Sequence, residues 1–184
     1  NINEAVEKLI NSGISESKQK LNFETVEDYL DRYSIITKTS IFTQLQFNVA
    51  EKWLSNCNFL KGGTGRIRNV FDTEGVHILS PRLDDGGLSL TINGAKKLHE
   101  FSKEKTCDIP IVIINDDATP FVKKGRNVMH GFIISASEEL RPGSPCIILD
   151  KNEKLLAFGI SCCNYNEALE LKKGIAIKVK NGVE

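Results

Sequence analysis

Short apolar runs recur at regular intervals along the second half of this 184-residue chain. Each run is rich in β-branched residues and bounded by turn-forming residues, and none is much longer than about six residues. Such runs predict short strands, and short strands spaced around small helices are typical of a β-rich pseudo-barrel. The predicted strands cover residues 109–114, 132–135, 146–149, 155–163 and 175–179. Asn164 with Glu167 forms a capping-box pattern, which predicts a helix through Leu171 before the last strand.

The segment after the first of these strands carries the clearest chemical signal. Asp116 or Asp117 is expected to cap a short helix there. Gly125 is expected to end the helix with a positive φ, which glycine adopts readily. The predicted apolar face of the helix consists of Ala118, Phe121 and Val122.

Cations surround this glycine, with Lys123, Lys124 and Arg126 beside it and His130 nearby. Helix ends and glycine loops expose backbone N–H groups, and clustered cations beside them suit a phosphate. Such a cluster by itself is usually only a solvated face, so the surrounding motifs must decide whether it binds RNA.

Four motifs follow one another in register here: a helix ending Phe-Val-Lys-Lys-Gly, a Leu-Arg-Pro-Gly turn, a Leu-Leu-Ala-Phe-Gly strand and a final Leu-Lys-Lys-Gly-Ile-Ala-Ile-Lys-Val segment. Together they resemble the PUA domain, the RNA-binding module shared by pseudouridine synthases and archaeosine transglycosylases. The resemblance implies that RNA contacts lie on these motifs. The residues expected to bind RNA are Phe121, Lys123, Lys124, Gly125, Arg126, Asn127, His130, Arg141, Lys172, Lys173 and Lys178.

The first half of the chain alternates helical and strand patterns. Residues 5–10 predict a helix, and Thr25 is expected to cap a second one with Asp28 in a capping box. A longer helix is predicted from Ser40, with a buried stripe of Ile41, Leu45, Val49 and Trp53.

A glycine-rich turn, a hairpin and a further strand follow this helix. Residues 61–65 lack the ending of a phosphate-binding P-loop and precede a strand, so a flexible turn is the better interpretation. Alternation predicts a strand through Leu88, Leu90 and Ile92, and Asn93 is expected to cap a helix after it. The inward residues expected on that helix are Ala95, Leu98 and Phe101.

Residues 38–104 are similar to the domain that precedes the PUA domain in archaeosine tRNA-guanine transglycosylase, most clearly in Thr-Gly-Arg-Ile-Arg-Asn and Leu-Ser-Leu-Thr-Ile-Asn-Gly-Ala-Lys-Lys-Leu-His. Where that family commonly has glycines, this chain has Asn48, Val49 and Ala50. The predicted fold class is α+β. It comprises a helical arm (1–37), a small α+β pre-PUA domain (38–106) and a C-terminal PUA pseudo-barrel (107–184).

The overall charge favours no particular partner, because 24 basic residues balance 24 acidic ones. RNA binding would therefore need a local patch of positive charge, and Lys180 is a further candidate for it.

Five cysteines without a Cys-x-x-Cys pair favour neither a zinc site nor a disulfide framework, and indicate a reducing, cytoplasmic compartment. Adjacent Cys162 and Cys163 are expected on opposite strand faces, at least one of them in the core.

No catalytic constellation is recognisable. The paired carboxylates at 84–85, 116–117 and 138–139 lie at turns or helix starts, where capping and solvation explain them. We expect no cofactor, no metal and no membrane span. The chain begins at Asn1, with Met129 its only methionine, so it is expected to be trimmed or incomplete.

The resemblance implies a non-catalytic tRNA-binding subunit or fragment that positions tRNA for base exchange at the D-loop guanine. A separate or upstream transglycosylase catalytic domain would carry out the exchange, within a homo- or hetero-oligomer. Two alternatives stay open: the RNA-binding C-terminal part of an archaeosine synthase, and a ribosome-associated PUA-domain adaptor.

Overall fold

A computed structural model describes residues 26–82 and 86–184 of the chain. The predicted helix at residues 5–10, the Thr25 cap and the acidic pair at 84–85 lie outside these residues. The elements of the N-terminal part are α1 (Val26–Thr43), α2 (Phe47–Leu54), β1 (Asn58–Lys61), β2 (Ile67–Phe71), β3 (His77–Pro81), β4 (Leu88–Leu90) and α3 (Ile92–Lys103).

The helix predicted from Ser40 through Trp53 is wrong, because the chain breaks between α1 and α2. Gln44 adopts a φ of 55°, and the Ser40 hydroxyl donates to the Leu45 carbonyl at 2.7 Å. Leu45 is buried and forms an isolated bridge with Cys107, whereas Ile41 is 74% exposed. The stripe is therefore divided between two helices, and α1 runs uninterrupted across the predicted boundary between residues 37 and 38.

Strands β1 to β4 form an antiparallel meander, and α3 packs on it. Leu88 and Leu90 are buried as the alternation predicts, but Ile92 starts α3 instead of extending the strand. The predicted Asn93 cap is wrong, since the Thr91 hydroxyl accepts the Gly94 N–H at 3.3 Å. The inward face of α3 is confirmed, with Ala95, Leu98 and Phe101 buried.

The C-terminal part forms a six-stranded, barrel-like sheet in the order β6-β10-β9-β8-β5-β7, in which β5 and β8 are parallel and the other pairs antiparallel. The predicted α+β class is confirmed. The elements are β5 (Ile111–Ile114), α4 (Thr119–Val122), β6 (Val128–Met129), a 3₁₀ turn (His130–Phe132), β7 (Ile133–Ala136), β8 (Pro145–Leu149), β9 (Leu155–Ser161), α5 (Tyr165–Glu170) and β10 (Ile175–Gly182).

Strands β8 and β9 are buried on both faces, which joins the two parts of the molecule. Leu156 points into the interior of the C-terminal sheet, while Phe158 packs in a cluster that includes Leu98. Polar contacts support the same junction, because His99 Nε2 lies 3.1 Å from the Glu153 carbonyl and the Asn181 amide donates to the Leu90 carbonyl. The two parts therefore share the hydrophobic core that contains Phe158, while a second cluster lies within the C-terminal part.

In the C-terminal part, the predicted capping box and the predicted buried cysteine are confirmed, whereas the predicted cap of α4 is wrong. Asn164 and Glu167 form the predicted capping box at α5, and Cys163 is buried beside exposed Cys162. The predicted cap at Asp116 or Asp117 is wrong, because Asn115 Oδ1 accepts the Ala118 N–H at 3.2 Å.

Candidate nucleic-acid interface

The loop after α4 is built around Gly125, which has the predicted positive φ, at 82°. The N–H groups of Lys124 and Arg126 both donate to the Phe121 carbonyl, at 3.2 and 3.1 Å, and the Gly125 N–H donates to the Val122 carbonyl at 2.9 Å. The prediction that this loop presents free backbone donors to a phosphate is therefore wrong for these three residues. Anion binding here would depend on side chains.

The end of β10 holds this loop in place. The Val179 N–H donates to Asn127 Oδ1 at 3.1 Å, and the Glu184 N–H donates to the Lys123 carbonyl at 3.1 Å. A Cβ added at Gly182 would collide with that carbonyl and lie 2.9 Å from the Gly125 nitrogen. Asn127 and Gly182 thus support the loop. Nothing in the sequence around Gly182 indicates this role, because the contact is made with a segment distant in sequence.

A second cationic segment, the turn between α5 and β10, lies against β6 and the 3₁₀ turn, which directly follow the first segment in the chain. The His130 N–H donates to the Gly174 carbonyl at 3.1 Å, and Met129 pairs with Ile175 across the strands. A Cβ on Gly131 would lie 3.1 Å from the Lys172 carbonyl. The fold therefore brings together two segments that are more than forty residues apart in sequence.

We call the cations of these two segments the cationic edge: Lys123, Lys124, Arg126, Lys172 and Lys173. All are exposed except Lys123, which is partly buried. Among the described residues, none of the five forms an ion pair. The chain as a whole is neutral, so these five cations form a local excess of positive charge. Such a local excess suits the binding of a polyanion.

The other predicted RNA-binding residues have varied environments. Phe121 is 63% exposed beside the loop, which contradicts its predicted place on the apolar face of α4 and leaves its ring available for stacking. Lys178 is exposed on β10, opposite Ile160. His130 is 6% exposed, so its ring has little area for a ligand. The Arg141 guanidinium donates to carbonyls of its own turn, those of Glu138 and Leu140.

Residues 26–82 and 86–184 hold no group of three or more His, Cys, Asp or Glu side chains placed to bind a metal ion. Burial raises the pKa of the Cys57 and Cys107 thiols to about 11, and burial also raises the pKa of Cys146. These thiols are therefore protonated at neutral pH and are poor nucleophiles. No helix in this range is long and apolar enough to cross a membrane.

Two domain families match the chain. Residues 110–183 match the PUA domain, and residues 42–105 match the family described as patch-forming domain C2 of tRNA-guanine transglycosylase. The chain contains a PUA domain. The cationic edge lies within that domain, and the meander with α3 lies within the C2-like segment.

The chain is also similar to curated tRNA-guanine(15) transglycosylases. The chain is 39% identical to tRNA-guanine(15) transglycosylase of Thermococcus onnurineus over 124 residues, or 66% of this chain and 20% of that protein. It is 31% identical to the same enzyme of Methanosphaera stadtmanae over 187 residues, or 94% of this chain and 27% of that protein. The chain thus spans 20% and 27% of the length of these two relatives, in their C-terminal part.

Two solved structures have a similar fold. A hypothetical protein of Pyrococcus horikoshii matches with a TM-score of 0.63 and 18% identity, covering 84% of this chain and 91% of that chain. A PUA domain from Aeropyrum pernix matches with a TM-score of 0.59 and 12% identity, covering 86% and 83%. At these identities the likeness shows the fold alone.

Proposed function

We propose that this PUA-domain protein is a non-catalytic tRNA-binding subunit or portion of a tRNA-guanine transglycosylase. The observation that carries the proposal is the pairing of a C2-like segment with a PUA domain on one shared core. The C2-like segment favours a transglycosylase over a ribosome-associated adaptor.

The cationic edge would bind tRNA phosphates. Its five cations lie on two segments joined by backbone contacts between the 3₁₀ turn and Gly174, and none is paired with a carboxylate among the described residues. Phosphate contacts position a nucleic acid without reading its sequence. Exposed Phe121 would add a stacking surface for an unpaired base.

A catalytic transglycosylase domain, on this polypeptide or on another, would carry out the base exchange. Reaching a D-loop guanine requires opening the tRNA fold, and extruding a base costs a few kcal/mol. Phosphate contacts spread over the C-terminal surface would offset part of that cost. We place the protein in the cytoplasm, where its free thiols, including exposed Cys162, would stay reduced.

The binding test replaces Lys124, Arg126 and Lys173 with alanine. We expect weaker tRNA binding and a slope of log affinity against log salt that is smaller by about one per lost contact. The matched control replaces Lys52, Lys103 and Lys154, exposed cations elsewhere on the surface, with alanine and removes the same charge. Equal slopes for the two triple variants would show that the cationic edge does not bind tRNA.

Reconstitution tests the accessory role. The chain is combined with a transglycosylase catalytic chain, tRNA and labelled base, and base exchange is measured. We expect no exchange by this chain alone and faster exchange when both are present. Exchange by this chain alone would contradict the non-catalytic role, and equal rates with and without it would contradict the accessory role.

A further inference from the structure

A surface cleft of about 320 Å³ lies in the C2-like segment, far in sequence from the cationic edge. It opens between α2, the β2–β3 turn and α3. This volume is at the lower end of the ~300–1,000 Å³ typical of small-ligand clefts. The lining residues that matter for its chemistry are Trp53, Asp72, Glu74, Asn93, Lys96 and Glu100.

The aromatic wall of the cleft is rigidly held. Trp53, which the stripe on the predicted helix placed in the core, is only partly buried. Its indole packs edge-on against Phe101, with ring centroids 5.5 Å apart and an interplanar angle of 69°. Lys97 Nζ covers the Phe101 ring at 5.2 Å. Because its neighbours fix its orientation, the indole can contact a flat ligand without first becoming ordered.

Polar groups with unused hydrogen-bonding capacity line the same cleft. Among the described residues, the Trp53 indole N–H and the Asn93 side-chain amide have no hydrogen-bond partner. Glu74 and Glu100 are exposed, and Glu100 pairs with Lys97 at 2.7 Å. An aromatic wall with a few convergent donors and acceptors is the usual composition of a site for a flat, polar ligand.

We propose that this cleft binds an unstacked nucleobase of the RNA. The carboxylates of Glu74 and Glu100 would accept from N–H groups along one edge of the base, as guanine presents. The Asn93 amide would supply a donor, and the indole ring would contact the face of the base. Exposed Lys96 at the rim would contact the adjoining phosphate. The proposal rests on the proposed function, since it names a second tRNA contact, remote from the cationic edge.

The single tryptophan of the chain provides a direct probe. In a ¹H–¹⁵N spectrum of the full chain, the Trp53 indole N–H gives one resonance. We expect this resonance to shift with increasing guanosine 5′-monophosphate and with a short single-stranded oligoribonucleotide, but not with ribose 5-phosphate. A resonance that stays fixed at saturating nucleotide, or that shifts equally with ribose 5-phosphate, would overturn the proposal.

Asn93→Ala tests the polar contacts, because Asn93 is exposed and does not cap α3. Loss of one hydrogen bond is expected to weaken nucleotide binding about fivefold. The control is Lys52→Ala, an exposed neighbour of Trp53 outside the cleft, which should leave binding unchanged. Equal affinity of the Asn93→Ala variant and the unaltered protein would contradict the assigned contacts.

The triple alanine variant of the cationic edge separates this proposal from the proposed function. It should bind tRNA more weakly and still show the full indole shift with guanosine 5′-monophosphate. If the unaltered protein shows the indole shift with guanosine 5′-monophosphate but does not bind tRNA, the nucleobase site in the cleft is supported and the proposed function is contradicted. If tRNA binds and the indole resonance does not respond, the cleft fails alone.

Discussion

The C-terminal sheet and the C2-like segment before it share one core, yet they expose different chemistry. The C-terminal part presents five cations that form no ion pair with any residue in 26–82 or 86–184, on two segments that backbone hydrogen bonds hold together. The C2-like segment presents a cleft with an aromatic wall, where lysines and carboxylates are mixed. Unpaired cations attract any polyanion, whereas a cleft of mixed charge selects a ligand by shape and hydrogen bonding. Under the two proposals, the cationic edge would attract the RNA as a polyanion, and the cleft would select one of its bases.

The largest expected effect tests whether the two parts are one cooperative unit. Phe158→Ala should lower the free energy of unfolding by about 3–5 kcal/mol, since it empties a fully buried site where both parts meet. Trp53 fluorescence reports the C2-like segment, and circular dichroism reports the whole chain. Coincident denaturation curves are expected. Two separate transitions would show that the shared core does not couple the parts.

A smaller loss is expected where β10 supports the loop of the cationic edge. Gly182→Ala places a Cβ against the backbone of Lys123 and Gly125, and should destabilise the fold by about 2–3 kcal/mol. Because the loop must move, tRNA affinity should fall as well. Gly63→Ala is the control, since its Cβ meets nothing within 4 Å and its φ is not positive. Unchanged stability of the Gly182→Ala variant would contradict the close approach.

A matched pair of glycines, one in each part, sharpens the comparison. Gly125 and Gly65 have φ values of 82° and 78°, and a Cβ on either meets nothing within 4 Å. Each alanine substitution should cost about 1 kcal/mol of stability through the left-handed backbone. Only Gly125→Ala should weaken tRNA binding, measured by filter retention. If both variants bind tRNA equally, the Gly125 loop does not approach the RNA backbone.

The smallest effect concerns pH at the junction of the two parts. Burial lowers the pKa of His99, whose Nδ1 is buried and has no hydrogen-bond partner in the part of the chain that the structure describes. The charges around it are those of Lys103, Glu153 and Glu100. The unfolded state therefore binds more protons between the two pKa values. The contribution of neutral His99 to the free energy of unfolding is fully present above about pH 6.5. It is lost as the pH falls through the pKa that His99 has in the folded state.

His99→Gln tests this dependence, because glutamine can keep a donor for the Glu153 carbonyl without titrating. Denaturant unfolding between pH 7.5 and 5.5 should show a smaller loss of stability for the variant than for the unaltered protein. Identical pH profiles would contradict a neutral His99 in the folded state.

The sequence by itself predicted features whose cause lies within a few residues. The alternation of Leu88 and Leu90, the capping box at Asn164 and the positive φ of Gly125 were all predicted correctly. Each depends on a neighbouring side chain or on the backbone freedom of the residue itself, so no distant contact can easily override it. The ordered C-terminal motifs likewise sufficed to recognise the PUA domain, whereas the RNA-contacting residues themselves stay a prediction.

Only the tertiary structure decided which apolar faces meet and where helices stop. The stripe from Ile41 to Trp53 has a regular helical period, but the bridge between Leu45 and Cys107 divides it, and part of Trp53 lines a cleft. The apolar runs of β8 and β9 are consistent with burial on both faces of the sheet. Their composition does not indicate that α3 covers one of those two faces. Packing between distant segments contributes more free energy than local propensity, so at these positions it determines the outcome.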